Sequence, residues 1–531
     1  MNLPCLTESL LKRTTSRCPV CHAAVPGEVW KVNDGKRARV FLRRDCPEHG
    51  RAEACIASDA RFYWLAQGKP ENQCCGGVCQ AAEGEGTGTL GRNAAAANDE
   101  CGTTNDENAP PAHSSSDIRH SAPERLSTCL ALIEIVNSCN LACPTCYADS
   151  PQSRAVDAVP LADLQARIQG VIDRKGGIEI LQLSGGEPTL HPQFFELLAW
   201  LHAHPGIDYV LLNTNGVRIA NDDAFSAELG RTFQRGKFQL YLQFDGTQEA
   251  AQHWLRGADL RATRERAIAR CRDLGIPLTL AMTVTPENLP HVWDAVDFGL
   301  RWENVRGISF QPLFGSGRVT EKSNKSLVIS DKSANANAAS SLITPSLITN
   351  HSPQPHLNTA DVVLALVEHS ATRLRYEDFT PLPCGDPNCA TIGYLLKVGG
   401  TTRSISDFVD FTQVQDFLRD KVRYSPDDLA RCGCESEPLG ELLHEMETGF
   451  RRSEGRMTND ESGSSSDAAS AKSSNPKSEI ASSAFRLFIK PFMDAWTWDE
   501  DRIDRCCTHV IRLDGKLDSF CRYYAAGGAA K

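Results

Sequence analysis

Through the middle of the chain, short apolar runs rich in β-branched residues alternate with segments whose apolar positions recur at i, i+3, i+4 and i+7. The runs fall at 129–136, 178–183, 209–213, 238–244, 277–284 and 307–313, which predicts six strands. Between them, 161–175 and 192–204 carry a helical stripe, and 260–274 carries a weaker one. Strict alternation of strand and helix implies parallel strands joined by right-handed crossovers. Six such units predict an α/β fold, either an incomplete β/α barrel or a doubly wound sheet. In both, chemistry belongs at the carboxyl ends of the strands.

Three stretches, 80–125, 320–359 and 452–477, lack periodicity and consist largely of Ala, Ser, Asn, Gly, Asp and Glu. They cannot bury enough apolar surface to offset the entropy of ordering them and are expected to be disordered insertions. They divide the chain into an amino-terminal module at 1–79, a core at 126–319 and a carboxyl-terminal region at 360–531. Segment 480–498 reads as amphipathic, fit either to line an apolar tunnel or simply to pack in a core.

Charge and cysteine content add to this picture. The 531 residues carry a net charge of -11, which counts against nucleic acid as the main partner. No apolar run approaches the roughly 18 residues of a spanning helix, and residues 1–16 lack a signal-peptide core, so a cytoplasmic protein without a membrane span is expected. In a reducing compartment, 21 cysteines point to iron–sulfur or zinc ligands rather than to disulfides.

Directly after the first core strand stand Cys139, Cys143 and Cys146, spaced C-x3-C-x2-C. Three thiolates in one loop can hold three irons of a cubane cluster and leave the fourth open to a substrate; a zinc knuckle is the plainer reading. The second strand ends in Gly185-Gly186-Glu187, where glycines allow close approach to a ligand and a carboxylate can accept from an ammonium group. Asn215, Asp245 and Gln311 lie at or just past the ends of later strands. Polar side chains there would line one face of a barrel and suit a nucleoside, although each alone is more simply a turn or cap residue.

Outside the core, Cys18, Cys21, Cys46 and His49 form paired knuckles for one tetrahedral metal, zinc or rubredoxin-like iron, with Cys55 as a substitute for His49. Cys74, Cys75, Cys79 and Cys129 would supply four thiolates to a second cluster, the adjacent pair leaving one of its two open as a bystander. Cys384 and Cys389 would have to meet Cys506, Cys507 and Cys521 in the fold to bind a third. Cys5, Cys271, Cys432 and Cys434 read as ordinary thiols.

The cluster loop and Gly-Gly-Glu together resemble the radical S-adenosylmethionine (SAM) superfamily over about 128–313, with Thr145 where the motif usually has an aromatic residue and Tyr147 just after the third cysteine. The accessory cysteines resemble one subfamily, which contains archaeal tetraether lipid synthase and the methylase of 7,8-dihydro-6-hydroxymethylpterin; the spacing at Cys74–Cys79 is one residue longer than its pattern. The resemblance implies a partial (β/α)6 barrel with small metal-binding and cluster-binding accessory domains. It also implies a 4Fe-4S cluster on Cys139, Cys143 and Cys146, whose open iron chelates S-adenosyl-L-methionine, and one or two auxiliary 4Fe-4S clusters. Gly185, Gly186 and Glu187 would then meet the methionine end. The implied activity is reductive cleavage to a 5′-deoxyadenosyl radical and hydrogen abstraction from an unactivated carbon, leading to carbon–carbon bond formation on a lipid chain or to methyl transfer to a pterin. A reductant such as ferredoxin or flavodoxin would supply the electron. A cluster-storing electron-transfer protein and a multi-zinc adaptor are the competing classes.

Overall fold

The computed structural model describes residues 7–65, 128–318, 350–351, 356–382, 385–398, 401–407 and 484–525. The expected second-cluster cysteines Cys74, Cys75 and Cys79 lie outside these residues, as do Cys384 and nearly all of the three low-complexity stretches.

All six predicted core strands form, displaced by at most two residues at either end: β5 (Leu130–Val136), β6 (Ile178–Gly185), β7 (Ile207–Thr214), β8 (Phe238–Gln243), β9 (Leu278–Val284) and β10 (Val305–Pro312). They pair in parallel in chain order, as right-handed βαβ units require. The crossovers include α1 (Leu161–Lys175), α2 (Phe194–Ala203) and α6 (Arg261–Asp273). α1 buries Leu164, Ile168, Val171 and Ile172 against the sheet and stops at Gly176, whose φ of 85° is the left-handed conformation that ends helices.

The strands alternate on two buried faces. Leu183, Leu212, Leu240, Leu242 and Leu280 point to the helices and are fully buried. Their neighbours Gln182, Ser184, Asn213, Tyr241, Gln243 and Gln311 point inward and line a cavity. The result is a barrel filled with polar side chains on its concave side.

The carboxyl-terminal segment does not form a separate body. β15 (Ala484–Ile489) joins β10 in parallel and β16 (Thr508–Ile511) joins β5 in parallel, so both edges of the six-strand sheet are covered by residues beyond 480. Antiparallel β13 (Thr391–Val398) then pairs with β15, and β17 (Leu517–Ser519) with β16. Segment 480–498 therefore contributes a strand to the barrel wall, followed by a buried turn around Trp498.

The amino-terminal module is a twisted antiparallel sheet of β1 (Thr7–Arg17), β2 (Ala24–Asn33), β3 (Ala38–Cys46) and β4 (Gly50–Ala57). It docks on the tail: Lys12 Nζ lies 2.7 Å from Asp499 and 2.9 Å from Asp501, Ser16 Oγ donates to the Trp498 carbonyl at 2.6 Å, and the Arg17 guanidinium sits 4.7 Å over the Trp498 ring. No helix among the described residues is long and apolar enough to cross a membrane.

Candidate active site

The loop after β5 carries Cys139, Cys143 and Cys146 into the mouth of a cavity of about 1020 Å³, and all three thiols line it. The segment after β10 fixes the loop: Cys146 and Arg318 exchange both backbone hydrogen bonds at 2.9 Å, and Arg318 Nε donates to the Cys143 carbonyl at 2.9 Å. Burial pushes the Cys139 thiol up to about 12 and raises Cys143 as well; in both, the neighbouring cluster-loop thiols add to the rise. Three soft donors on one loop, all lining a cavity mouth, are the donor set of an iron–sulfur cluster. Cys139 and Cys143 therefore hold their protons until a metal displaces them.

Gly185 and Gly186 also line the cavity, but the close approach they permit is between two stretches of backbone. A Cβ on Gly185 would strike the Val136 carbonyl and one on Gly186 the Ser138 carbonyl, and Gly185 has φ +115°. Gly186 N–H donates to Val136 O at 2.7 Å and Glu187 N–H to Ser138 O at 3.1 Å, locking this turn onto the cluster loop. The buried Glu187 carboxylate accepts from Thr189 Oγ1 at 2.6 Å, Thr214 Oγ1 at 2.7 Å and the Asn215 amide at 2.8 Å. Burial raises its pKa, with these donors opposing the rise. The side chain thus braces the ends of β6 and β7, and the backbone of the turn is what faces the cavity.

The other expected residues are similarly engaged. Asn215 Nδ2 donates to Asn140 Oδ1 in the cluster loop at 2.6 Å. Asp245, fully buried at φ 62°, accepts from Arg256 at 2.6 and 2.8 Å and from the Thr283 amide at 3.1 Å. Gln311 Nε2 donates to Tyr241 Oη at 2.8 Å. Arg256 and Arg264 were not expected from sequence. Arg256 reaches from the end of α5 (Glu249–Arg256) toward Cys143, and its charge opposes the rise of that thiol. Arg264 donates to the Asn215 carbonyl and, at 2.6 Å, to Gln243 Oε1. The signal for the wall itself is the alternation Gln239, Tyr241, Gln243 along β8.

Two further thiol groups lie outside the barrel mouth. Cys18, Cys21, Cys46 and His49 have their ligand atoms within 4.8 Å of one another, a closed four-donor set on two turns. His49 lowers the Cys46 thiol by hydrogen bonding, while Cys55 sits apart, its thiol pushed up to about 12 by burial. In the tail, Cys389, Cys506, Cys507 and Cys521 come near one another, so residues more than 110 positions apart meet. Half-buried Arg502 donates to Cys389 Sγ at 3.3 Å, and burial drives the Cys506 thiol well above its usual range. Cys129, disulfide-bonded in this structure, donates its N–H to the Cys507 carbonyl at 3.0 Å and so adjoins this group. Cys271 is an ordinary core thiol.

Residues 133–299 match the Radical SAM superfamily, and residues 10–58 match the HMPTM N-terminal zinc ribbon domain. The chain has a radical SAM domain. It is similar to the 7,8-dihydro-6-hydroxymethylpterin dimethyltransferase of Methanocaldococcus jannaschii, 26% identical over 96% of this chain and 93% of that protein. A shorter match, 39% identical over 87 residues, covers 16% of this chain and 25% of the GTP 3',8-cyclase of Chlorobaculum tepidum. The solved structure of Streptococcus suis SuiB bound to S-adenosylmethionine aligns with 35% of this chain and 41% of its own, at 18% identity and a TM-score of 0.29.

The radical SAM domain thus accounts for the barrel and its mouth, and the radical SAM enzyme reading is the one these matches support. A 4Fe-4S cluster and SAM go with that assignment, and the ribbon adds a metal site.

Proposed function

We propose that this radical SAM enzyme transfers a methyl group to a pterin-type heterocycle, one SAM being cleaved to 5′-deoxyadenosine and methionine and a second SAM giving up the methyl and leaving as S-adenosylhomocysteine. The observation that carries this reading is the barrel wall: Gln182, Asn213, Tyr241, Gln243 and Gln311 present amides and a phenol around one cavity. Amide groups both donate and accept, which matches the alternating edge of a fused nitrogen heterocycle. The full-length likeness to the pterin dimethyltransferase supports the same class. An alkyl chain is disfavoured because segment 480–498, the candidate tunnel lining, brings Arg486 of β15 and Lys490 just beyond it to the cavity beside Phe488 and Phe492.

Cys139, Cys143 and Cys146 would hold the cluster, and the backbone of Gly185 to Glu187 with Asn215 would flank the methionine end of SAM. Bound there, the cluster and SAM would supply the radical chemistry needed to activate a carbon that polar groups cannot. The chain's own part is orientation and exclusion of water. Ser184 accepts from Asn213 at 3.2 Å and pairs with Tyr147 Oη at 3.0 Å, and Gln182 donates to Asn213 at 2.6 Å, a chain of polar groups held in place before any substrate arrives. Phe488, Phe492 and Phe520 close the adjoining wall. We read Cys389, Cys506, Cys507 and Cys521 as an auxiliary cluster site, the ribbon ion as zinc, the electron donor as a ferredoxin or flavodoxin, and the location as cytoplasmic.

The test is anaerobic incubation of reconstituted protein with SAM, dithionite and 6-hydroxymethyl-7,8-dihydropterin. A methylated pterin by mass spectrometry, with 5′-deoxyadenosine formed alongside, is the expected result. Formation of 5′-deoxyadenosine with no change in any pterin would sink the acceptor class and leave the radical chemistry standing.

A further inference from the structure

The cavity does not end beneath the cluster. It continues down the barrel to the amino ends of the strands, where its lining changes character. Arg235 and Arg272 precede β8 and β9, Arg306 is the second residue of β10, Arg486 the third of β15, and Lys397 lies near the end of antiparallel β13. Glu303 is the one carboxylate lining this end, among the described residues. Five cations converge here in a chain whose net charge is -11.

Their environment makes an anion welcome. Burial, and then the like charge of Arg306, hold the Lys397 ammonium below its ordinary range, and burial lowers Arg306 too; nearby Glu303 offsets both only in part. Arg235 and Arg272 are exposed, whereas Arg306, Lys397 and Arg486 are half-buried and stand on strands that wall the cavity, so these three carry the field. Desolvated cations facing a cavity are the usual way proteins bind phosphoryl oxygens. From Gln239 to Gln243 the wall rises about 13 Å, which separates this end from the reacting end by about one small heterocycle.

We propose that the amino end of the barrel is an anion subsite that takes a phosphate or diphosphate ester carried on the far side of the acceptor. This rests on the acceptor reading above and narrows it to a phosphorylated heterocycle, oriented with its ester at Arg306, Lys397 and Arg486 and its reacting carbon toward Cys139.

The experiment measures, on the full-length reconstituted protein, dissociation constants for 6-hydroxymethyl-7,8-dihydropterin, its phosphate and diphosphate esters, and inorganic pyrophosphate. At least one ester is expected to bind tenfold or more tighter than the alcohol, with the margin shrinking as KCl rises from about 50 to 500 mM. It is expected to vanish in the Arg306→Met, Lys397→Met double variant and survive in Arg306→Lys, Lys397→Arg, which guards against a merely misfolded protein. Equal binding of esters and alcohol overturns the subsite while leaving the pterin acceptor intact, and so does a margin that persists in the double Met variant. Pyrophosphate binding that is lost in the double Met variant, with no pterin bound, upholds the subsite and removes the pterin. Binding of none of the four overturns both.

Discussion

The ribbon and the barrel mouth use the same ligand chemistry to opposite ends. In the ribbon, Cys18, Cys21, Cys46 and His49 converge within 4.8 Å and leave no corner for anything else. At the mouth, Cys139, Cys143 and Cys146 come from one loop and open onto a cavity of about 1020 Å³. A closed set stabilises a fold; a set that ends at a cavity can hand coordination to a substrate. The surrounding charge differs accordingly. Cys46 is drawn down by His49, whereas Cys139 is pushed up to about 12 by burial, a thiol that waits for its metal.

The sharpest way to break this contrast is Cys143→Ser. Loss of one of three ligands should abolish 5′-deoxyadenosine formation, a drop of roughly a thousandfold or more, read with iron and sulfide content; retention of cleavage would mean another group holds the cluster. Stripping the ribbon metal with a chelator should do the reverse, lowering the melting temperature of the amino-terminal sheet while SAM cleavage changes by only a few fold. Arg256→Met leaves the Asp245 charge buried without its partner and should cost about 3–5 kcal/mol in urea unfolding, with Arg256→Lys recovering part of it. Glu187→Gln keeps the shape but weakens the bonds to Thr189, Thr214 and Asn215, a loss of about 1.5–3 kcal/mol.

The smallest effect tests how the two regions are joined. Lys12→Met should cost about 1 kcal/mol through its contacts with Asp499 and Asp501. Burial alone would raise the Asp501 carboxyl, but Lys12, with a smaller contribution from Arg505, outweighs it and holds the group below its ordinary 3.8. A carboxyl depressed in the folded state contributes fully above 3.8 and loses that contribution as pH falls through the lower value, so the Lys12→Met penalty should fade below about pH 4.

Much of this was legible in the chain because the relevant residues are close in sequence. The strand periodicity, the cluster loop and the ribbon knuckles are local patterns, and each strand end was placed within two residues. Long-range partners were not legible. Nothing near Asp245 announces that Arg256 will be its counter-ion, nor Arg318 that it will pin the Cys143 carbonyl. The glycines were found for a reason the fold revises, since their missing side chains admit the neighbouring loop. For segment 480–498, the core-packing alternative is the one the fold takes up: β15 sends Phe485, Leu487 and Ile489 into the core and Arg486 to the cavity.

Because β15 and β16 flank the first and last barrel strands, the enzyme cannot be finished from its amino end forward. A ribosome that has released residue 318 has made every cluster ligand at the mouth yet still lacks both walls that seal the sheet. A nascent or proteolysed chain would therefore expose two raw strand edges beside the cluster-loop thiols.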